Sequence, residues 1–250
     1  MTAFVEKRRE GAVLSLTLAR PEKKNALTGA MYDALWAGLA EAGKDDDIGA
    51  ILIAGKGGVF TAGNDLGDFL QLGASLDATP AGAFLQALAA LEKPLVAAVD
   101  GHAVGIGTTL CFHCDLVYAA PNARFQMPFV NLALVPENAS SLLAPLRFGM
   151  AKASEYLLLG EAFDAAEAYR LGLVNEVIDA AALHAHALGK ALALAAKPRA
   201  AMLATRKLLR GDPTVVAARI AKENRAFSDA VRSPEARAFF QAFLQKAKAS

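Results

Sequence analysis

The sequence predicts an α/β fold, built as stacked ββα turns of a spiral and followed by a helical C-terminal portion. Three observations carry this expectation. Apolar runs of strand length at 50–54, 95–99 and 116–119 are separated by helical segments and short connections. Two glycine-bearing segments, Ala62-Gly63-Asn64-Asp65-Leu66 and Gly101-His102-Ala103-Val104-Gly105-Ile106-Gly107, each follow such a run and open what reads as a helix. From Ala139 onward, helical patterning dominates. This β-β-α alternation suits stacked turns better than a doubly wound sheet.

Each element has its own signal. The first residues alternate apolar and polar around Glu10-Gly11, and Val13, Leu14, Leu16 and Leu18 read as a strand. Thr28 is a candidate cap for a helix running through Met31, Leu35 and Leu39 to residue 43. Residues 50–54 read as a buried strand and 55–58 as a tight connection. Gly55-Lys56-Gly57-Gly58 lacks the longer glycine spacing, and the Ser or Thr after lysine, of a phosphate loop. Residues 73–80 are small and polar, as in a flexible loop. A helix over 81–91 stops at Lys93-Pro94, before the strand at 95–99. The next helix begins at Gly105 and takes in Cys111 and Cys114, with the strand 116–119 after it. Asp164-Ala165-Ala166-Glu167 reads as a capping box. Residues 173–178 read as a short strand, and Ser233-Pro234-Glu235 as a further helix start. The spiral core, with the site, is expected over 1–196, and the helical portion over 197–250.

Composition narrows the function class. Hydrophobic residues make up 54% of the 250, enough for a large core and for apolar surface that favours self-association. Basic and acidic residues number 26 and 25, and no basic tract interleaved with aromatics marks a nucleic-acid partner. No apolar stretch reaches the roughly 18–20 residues that span a bilayer. Residues 1–10 lack an apolar signal core, and Lys248-Ala249-Ser250 is not a peroxisomal tripeptide of the S-K-L type. A cytoplasmic enzyme is the expectation. Cys111-Phe112-His113-Cys114 matches C-x-x-C, yet without a second ligand pair the cysteines read as small hydrophobes of a helix. His184 and His186, two apart on a helix, point to different faces, so no metal site is expected.

The glycine segments carry the chemistry. Each presents free backbone N–H groups at the positive end of a helix dipole. Two such groups converging on one point would hold a carbonyl oxygen as it gains negative charge. That is an enzyme's device for carbonyl compounds.

These segments, together with Arg20-Pro21-Glu22-Lys23-Lys24-Asn25-Ala26-Leu27 and Arg170-Leu171-Gly172-Leu173-Val174-Asn175, strongly resemble the crotonase (enoyl-CoA hydratase/isomerase) superfamily in order and spacing. The resemblance covers nearly the whole chain. It implies the ββα spiral, an acyl-CoA thioester substrate with no separate cofactor, and a homotrimer or dimer of trimers. It also implies that the oxyanion donors are the amides of Asn64 and Ile106, the latter standing where the family usually has glycine.

Hydratases of the family use two glutamates, whose positions here hold Thr109 and Phe129. Neither moves a proton near neutral pH. A different acid follows nearby in Leu134-Val135-Pro136-Glu137-Asn138-Ala139. This run resembles the Δ3,Δ2-enoyl-CoA isomerases known from peroxisomes, in which a single glutamate follows that proline. One carboxylate suffices to shift a double bond. A glutamate after proline also suits the first turn of a helix, where it complements the dipole. The resemblance and the missing acids at 109 and 129 make Glu137 the expected base.

The remaining residues have smaller expected parts. By resemblance, the backbone around Ala26, Ala62, Gly63, Leu66, Gly105 and Pro136 lines the substrate, with Asp65 beside it. Lys23 and Lys24 are candidate contacts for the CoA phosphates, although a solvated turn accounts for either one equally well. Arg206 and Lys207 are further candidates from a helix. Asp65 reads as a helix cap, Asp68 and Asp115 as helix-face and strand-boundary acids, and His102 as the donor or acceptor of a shielded hydrogen bond. Two rival functions stay open: a hydratase or other crotonase reaction using an unrecognised acid, and a protein that binds acyl-CoA without turnover.

Overall fold

The fold comes from a computed structural model that describes residues 4–65, 67 and 75–240. A sheet of six strands runs in the order β1 (Val5–Glu10), β2 (Val13–Leu18), β3 (Ala50–Gly55), β4 (Leu95–Val99), β6 (Leu116–Ala119) and β9 (Glu176–Val177). The β1–β2 hairpin is antiparallel and every later pairing in that sheet is parallel. A second sheet joins β5 (His102–Val104), β7 (Arg124–Gln126) and β8 (Ala162–Asp164). Strands β4 and β6 in the first wall are each followed by β5 and β7 in the second, as turns of a spiral require. Bridges between Leu27 and Asn64 and between Thr61 and Ala103 extend the second wall back through the earlier turns.

The inner strands β2, β3, β4 and β6 are largely apolar because both faces of the sheet are covered there, as parallel sheets demand, whereas the edge strand β1 is charged and mostly exposed. Alternation at period two decides which residue goes where. Ile51 and Ile53 of β3 join the main core with Met31, Leu35 and Leu39 of helix α1 (Gly29–Lys44). Ala50, Leu52 and Ala54 face the other way, against Leu183, Ala187 and Ala191 of helix α6 (Ala180–Ala195). Thr28 caps α1 as expected, accepting the Met31 N–H at 3.3 Å.

The other helices are α2 (Pro80–Ala90), α3 (Ile106–Cys111), α4 (Ser140–Leu158), α5 (Ala165–Arg170), α7 (Arg199–Arg210) and α8 (Pro213–Arg232). Asp164 caps α5 through the Glu167 N–H at 2.8 Å. Ser233 accepts the Ala236 N–H at 3.1 Å, opening the helical run 234–240. Ile220 and Phe227 of α8 enter the same apolar cluster as the spiral. None of the described helices is long and apolar enough to cross a membrane.

Several expectations need correction. Helix α3 is only six residues long and stops at Cys111, so Cys114 lies in the turn beyond it. The strand expected over 173–178 shrinks to Glu176–Val177. Residues 75–80 of the expected flexible loop are ordered into a 3-10 turn and the start of α2. Tertiary bonds hold them: the Leu76 N–H donates to Ser228 Oγ at 2.9 Å, and Asn224 Nδ2 to Asp77 Oδ1 at 2.6 Å. Residues 73 and 74 lie outside the described part.

Candidate active site

A buried asparagine ties the first motif to the first glycine segment. Asn25 sits in the left-handed region at φ 53°, fully buried. Its Oδ1 accepts the Arg20 N–H at 2.8 Å, and its Nδ2 donates to Lys56 O at 2.9 Å and Val59 O at 2.8 Å. Thr61 Oγ1 donates to Asn25 O at 2.6 Å, and the Ala62 N–H donates to Lys24 O at 2.9 Å. Arg20 reaches over to Asp65 Oδ2 at 2.7 Å and Ala26 O at 3.1 Å. The run from Arg20 to Leu27 is thereby fixed against 56–65.

The two glycine segments then meet edge to edge. Across the Thr61–Ala103 bridge, the Thr61 N–H donates to His102 O at 2.8 Å and the Val104 N–H donates to Thr61 O at 3.0 Å. Gly63 lies at φ 93°, and a Cβ there would stand 3.0 Å from Val104 O. Only glycine allows both that conformation and that approach. Gly105, at φ 56° and ψ −116°, turns the chain from β5 into α3. The Thr108 and Thr109 amides fold back to Gly105 O, each at 3.0 Å. Among the described residues the amides of Asn64 and Ile106 donate to no partner. Two free backbone donors thus lie on neighbouring segments of one wall.

Glu137 is joined to the second of these segments through α3. Its side chain is buried, and Thr109 Oγ1 donates to its Oε1 over a long 3.4 Å. Thr109 lies three residues after Ile106, on the same face of α3. The carboxyl therefore lies against the residue one helical turn along from Ile106. Burial pushes its pKa up to about 8; the Glu223 carboxyl adds to the rise and the Thr109 bond opposes it. A carboxyl poised there can both take and return a proton near neutral pH. Phe129 is buried apolar surface.

The turn after Glu137 is strained. Asn138 and Ala139 occupy the left-handed region in succession, at φ 57° and 56°, which for alanine costs about 1–2 kcal/mol. His113 Nε2–H donates to Asn138 O at 2.9 Å. Glu223 of α8 accepts from the Ser141 N–H at 3.0 Å and from Ser141 Oγ at 2.5 Å. Tyr32 of α1 is buried, donates to Asn64 Oδ1, and has its phenol pKa raised by burial and then by Glu137.

Sequence reasoning missed Tyr32, His113 and Glu223. Tyr32 follows Met31 in the helix that Thr28 caps, and His113 lies inside the C-x-x-C run. Glu223 looks like one more polar residue of an amphipathic helix. Two buried polar residues bonded to the Glu137 turn could only be found in three dimensions.

The other predicted residues fall as follows. Lys23 and Lys24 are exposed, Ala26, Ala62, Gly105 and Pro136 are half-buried, and Gly63 is buried. Asp65 accepts the Gly67 N–H at 3.0 Å besides pairing with Arg20, as a capping residue does. Leu66 and Asp68 lie outside the described residues. His102 is exposed on β5, which corrects the expected shielded hydrogen bond: its side chain leaves the sheet on the solvent side. Arg206 is also corrected. It is buried, and donates to Asp115 at 2.9 Å and to Leu91 O at 2.6 Å, so its guanidinium braces the end of β6 and is turned away from solvent phosphate. Lys207 remains exposed. Both cysteines are buried, and burial lifts the Cys111 thiol to about 12. His184 is exposed while His186 stacks edge-on against Tyr118 with ring centroids 4.8 Å apart. No group of three or more possible metal ligands occurs among the described residues. A cavity of about 660 Å³ opens between the turn after α3 and helices α4 and α7, lined by residues such as Phe112, Arg147, Arg206, Lys207 and Arg210, and by neither Glu137 nor the glycine segments.

Residues 8–250 match the family model described as enoyl-CoA hydratase/isomerase. The chain belongs to the enoyl-CoA hydratase/isomerase family. Its fold is the crotonase fold: a solved enoyl-CoA hydratase/isomerase from Pseudoalteromonas atlantica T6c superposes with a TM-score of 0.92 at 39% identity, covering 97% of both chains. Among curated relatives, "Enoyl-CoA delta isomerase 2" of Rattus norvegicus is 36% identical over 80% of this chain and 53% of its own length. This family member therefore spans about half of the rat protein. A "Probable enoyl-CoA hydratase" of Rhodobacter capsulatus is 35% identical, covering 92% of this chain and 91% of that protein. Both reactions of the family are represented at the same level of identity.

Proposed function

We propose that this family member is a Δ3,Δ2-enoyl-CoA isomerase. The observation that supports it best is the buried Glu137 carboxyl beside Thr109, itself one turn along from Ile106 with its free amide, with Thr and Phe where a hydratase's two acids would be. In this reading the thioester oxygen of a 3-enoyl-CoA lies between the Asn64 and Ile106 amides. Glu137 removes a C2 proton, and the electron pair spreads through a dienolate whose oxygen the two amides hold. The same carboxyl returns the proton at C4, leaving the double bond between C2 and C3. No atom is gained or lost, so one acid–base group suffices. Lys23 and Lys24 contact the CoA phosphates as point charges. Exposed Leu146, Met150, Leu208 and Leu209 support assembly as a trimer or dimer of trimers.

The test is Glu137→Gln assayed on a 3-enoyl-CoA by the absorbance of the conjugated product. Turnover should fall about 10²–10⁴-fold with acyl-CoA binding nearly unchanged; retained turnover discards the assignment.

A hydratase is the second reading, because Glu223 supplies another buried carboxyl within electrostatic range of Glu137. Incubation with trans-2-enoyl-CoA separates the two, since only a hydratase consumes it by adding water.

A further inference from the structure

Helix α4 begins without a cap of its own. Its N-cap residue is Ala139, left-handed and unable to accept a bond through its side chain. The Ser140 N–H turns back to Glu137 O at 3.0 Å, and Ser140 Oγ donates to the same oxygen at 2.6 Å. The next amide, Ser141, is taken by Glu223 from 82 residues away. A cap normally comes from the adjoining chain, on an N-cap residue with extended backbone, and the left-handed Ala139 offers neither. Here it comes instead from a buried carboxyl on another helix. One oxygen of Glu223 does that work. Its other oxygen, Oε2, is buried without a partner among the described residues, an arrangement that capping alone would not select.

We infer that Glu223 is a positioning residue for Glu137: it clamps the left-handed Asn138–Ala139 turn that aims the carboxyl, and it places a second buried carboxyl beside that turn. Calling Glu137 a base rests on the proposed isomerase reading; the clamp and the charge coupling do not.

The charged neighbours are few among the described residues. Glu137 faces Tyr32 from α1 and Glu223 from α8, with Thr109 of α3 against its oxygen. Glu223 faces Arg219 of its own helix, which also donates to Ser141 Oγ at 3.0 Å. Burial raises the Glu223 pKa, while the Ser141 hydroxyl and amide, the Ala139 amide and Arg219 oppose the rise. The buried His113 touches the turn only through Asn138 O. Two carboxyls thus share one enclosed region, and removing one charge must ease ionisation of the other.

Two variants separate charge from clamp. Glu223→Gln keeps an acceptor for Ser141 and removes the charge, whereas Glu223→Ala removes both. The Glu137 carboxyl is titrated directly by carbon-13 NMR of the glutamate-labelled protein, with its resonance assigned by loss in Glu137→Gln. In Glu223→Gln its midpoint should move down by roughly one unit, and the acid limb of kcat on a 3-enoyl-CoA should move with it. In Glu223→Ala, kcat should fall roughly a hundredfold through displacement of the turn, with KM within about twofold. An unmoved Glu137 midpoint in Glu223→Gln overturns the inference, as does an unchanged kcat in Glu223→Ala. If the midpoint moves while the unsubstituted protein converts no 3-enoyl-CoA, the charge coupling stands and the isomerase reading alone fails.

Discussion

The Thr109 hydroxyl and the Glu137 carboxyl are 3.4 Å apart in a space closed to water. Neither group has its usual surroundings. Thr109 donates the hydrogen bond that favours the charged form of Glu137. Burial opposes that form more strongly and holds the pKa at about 8. A base must be deprotonated to act, so kcat/KM for a 3-enoyl-CoA should rise with pH and level off above about 8. Thr109→Val removes the stabilising donor while keeping the volume. Its pH profile should move to higher pH, with the plateau nearly retained. A profile that stays put or moves down would mean that the threonine does not act on the ionised form.

The phenol of Tyr32 fixes the side chain of Asn64, whose amide is one of the two oxyanion donors in the proposed mechanism. The donor is backbone, so Asn64→Ala should be mild. Tyr32→Phe breaks the same bond from the other side and leaves Asn64 Oδ1 without its donor. The loss of one buried hydrogen bond, about 1–3 kcal/mol, should appear partly as lower thermal stability. The remainder should appear as a fall in kcat of several-fold, both variants moving together. If Tyr32→Phe abolished turnover where Asn64→Ala did not, the phenol would be acting on the substrate itself.

Lys23 and Lys24 stand exposed at the tip of the segment that Asn25 anchors. Contacts of that kind contribute binding rather than rate. Replacing both by alanine should raise KM for acyl-CoA roughly two- to thirtyfold, from two exposed charge contacts of about 0.2–1 kcal/mol each, while kcat holds. The increase should shrink as salt is added. A fall in kcat instead would place the lysines in the chemistry.

The spiral was readable because its signals are local. Strand-length apolar runs, Thr28 at N-cap and glycines with positive φ each declare themselves within a few residues. The same is true of Gly63 and Gly105, whose conformations no other residue adopts easily. Arg206 shows where local reading stops. A cation on a helix looks like a surface phosphate contact until Asp115, 91 residues away in sequence, closes over it. The 75–80 segment was misread for the same reason, since its order comes from Ser228 and Asn224 on α8. Glu137 could be picked out by resemblance. Its raised pKa and its clamp depend on burial and on Glu223, and the turn after it on His113, neither of which shares a sequence neighbourhood with it.

His113 and Glu137 pull stability in opposite directions with pH. His113 is buried and neutral; burial brings its pKa from 6.5 down to about 4, with Arg210 and Arg147 adding to the fall and its bond to Asn138 O opposing it. Between those values the unfolded chain binds a proton that the folded protein refuses, so this group makes stability rise with pH. Glu137 goes from 4.5 to about 8 on folding. In that window the folded protein holds a proton that the unfolded chain has released, so stability falls as pH rises. Where the windows overlap, the two slopes cancel, and this pair leaves Tm flat. Glu137→Gln should uncover the histidine, its Tm climbing from pH 4 to 6.5. His113→Gln should uncover the carboxyl, its Tm declining from about pH 4.5 to 8. Calorimetric scans of both variants and the unsubstituted protein across this range check the pair. Parallel Tm curves for the two variants would show that the turn is held by something other than this neutral histidine and this protonated acid.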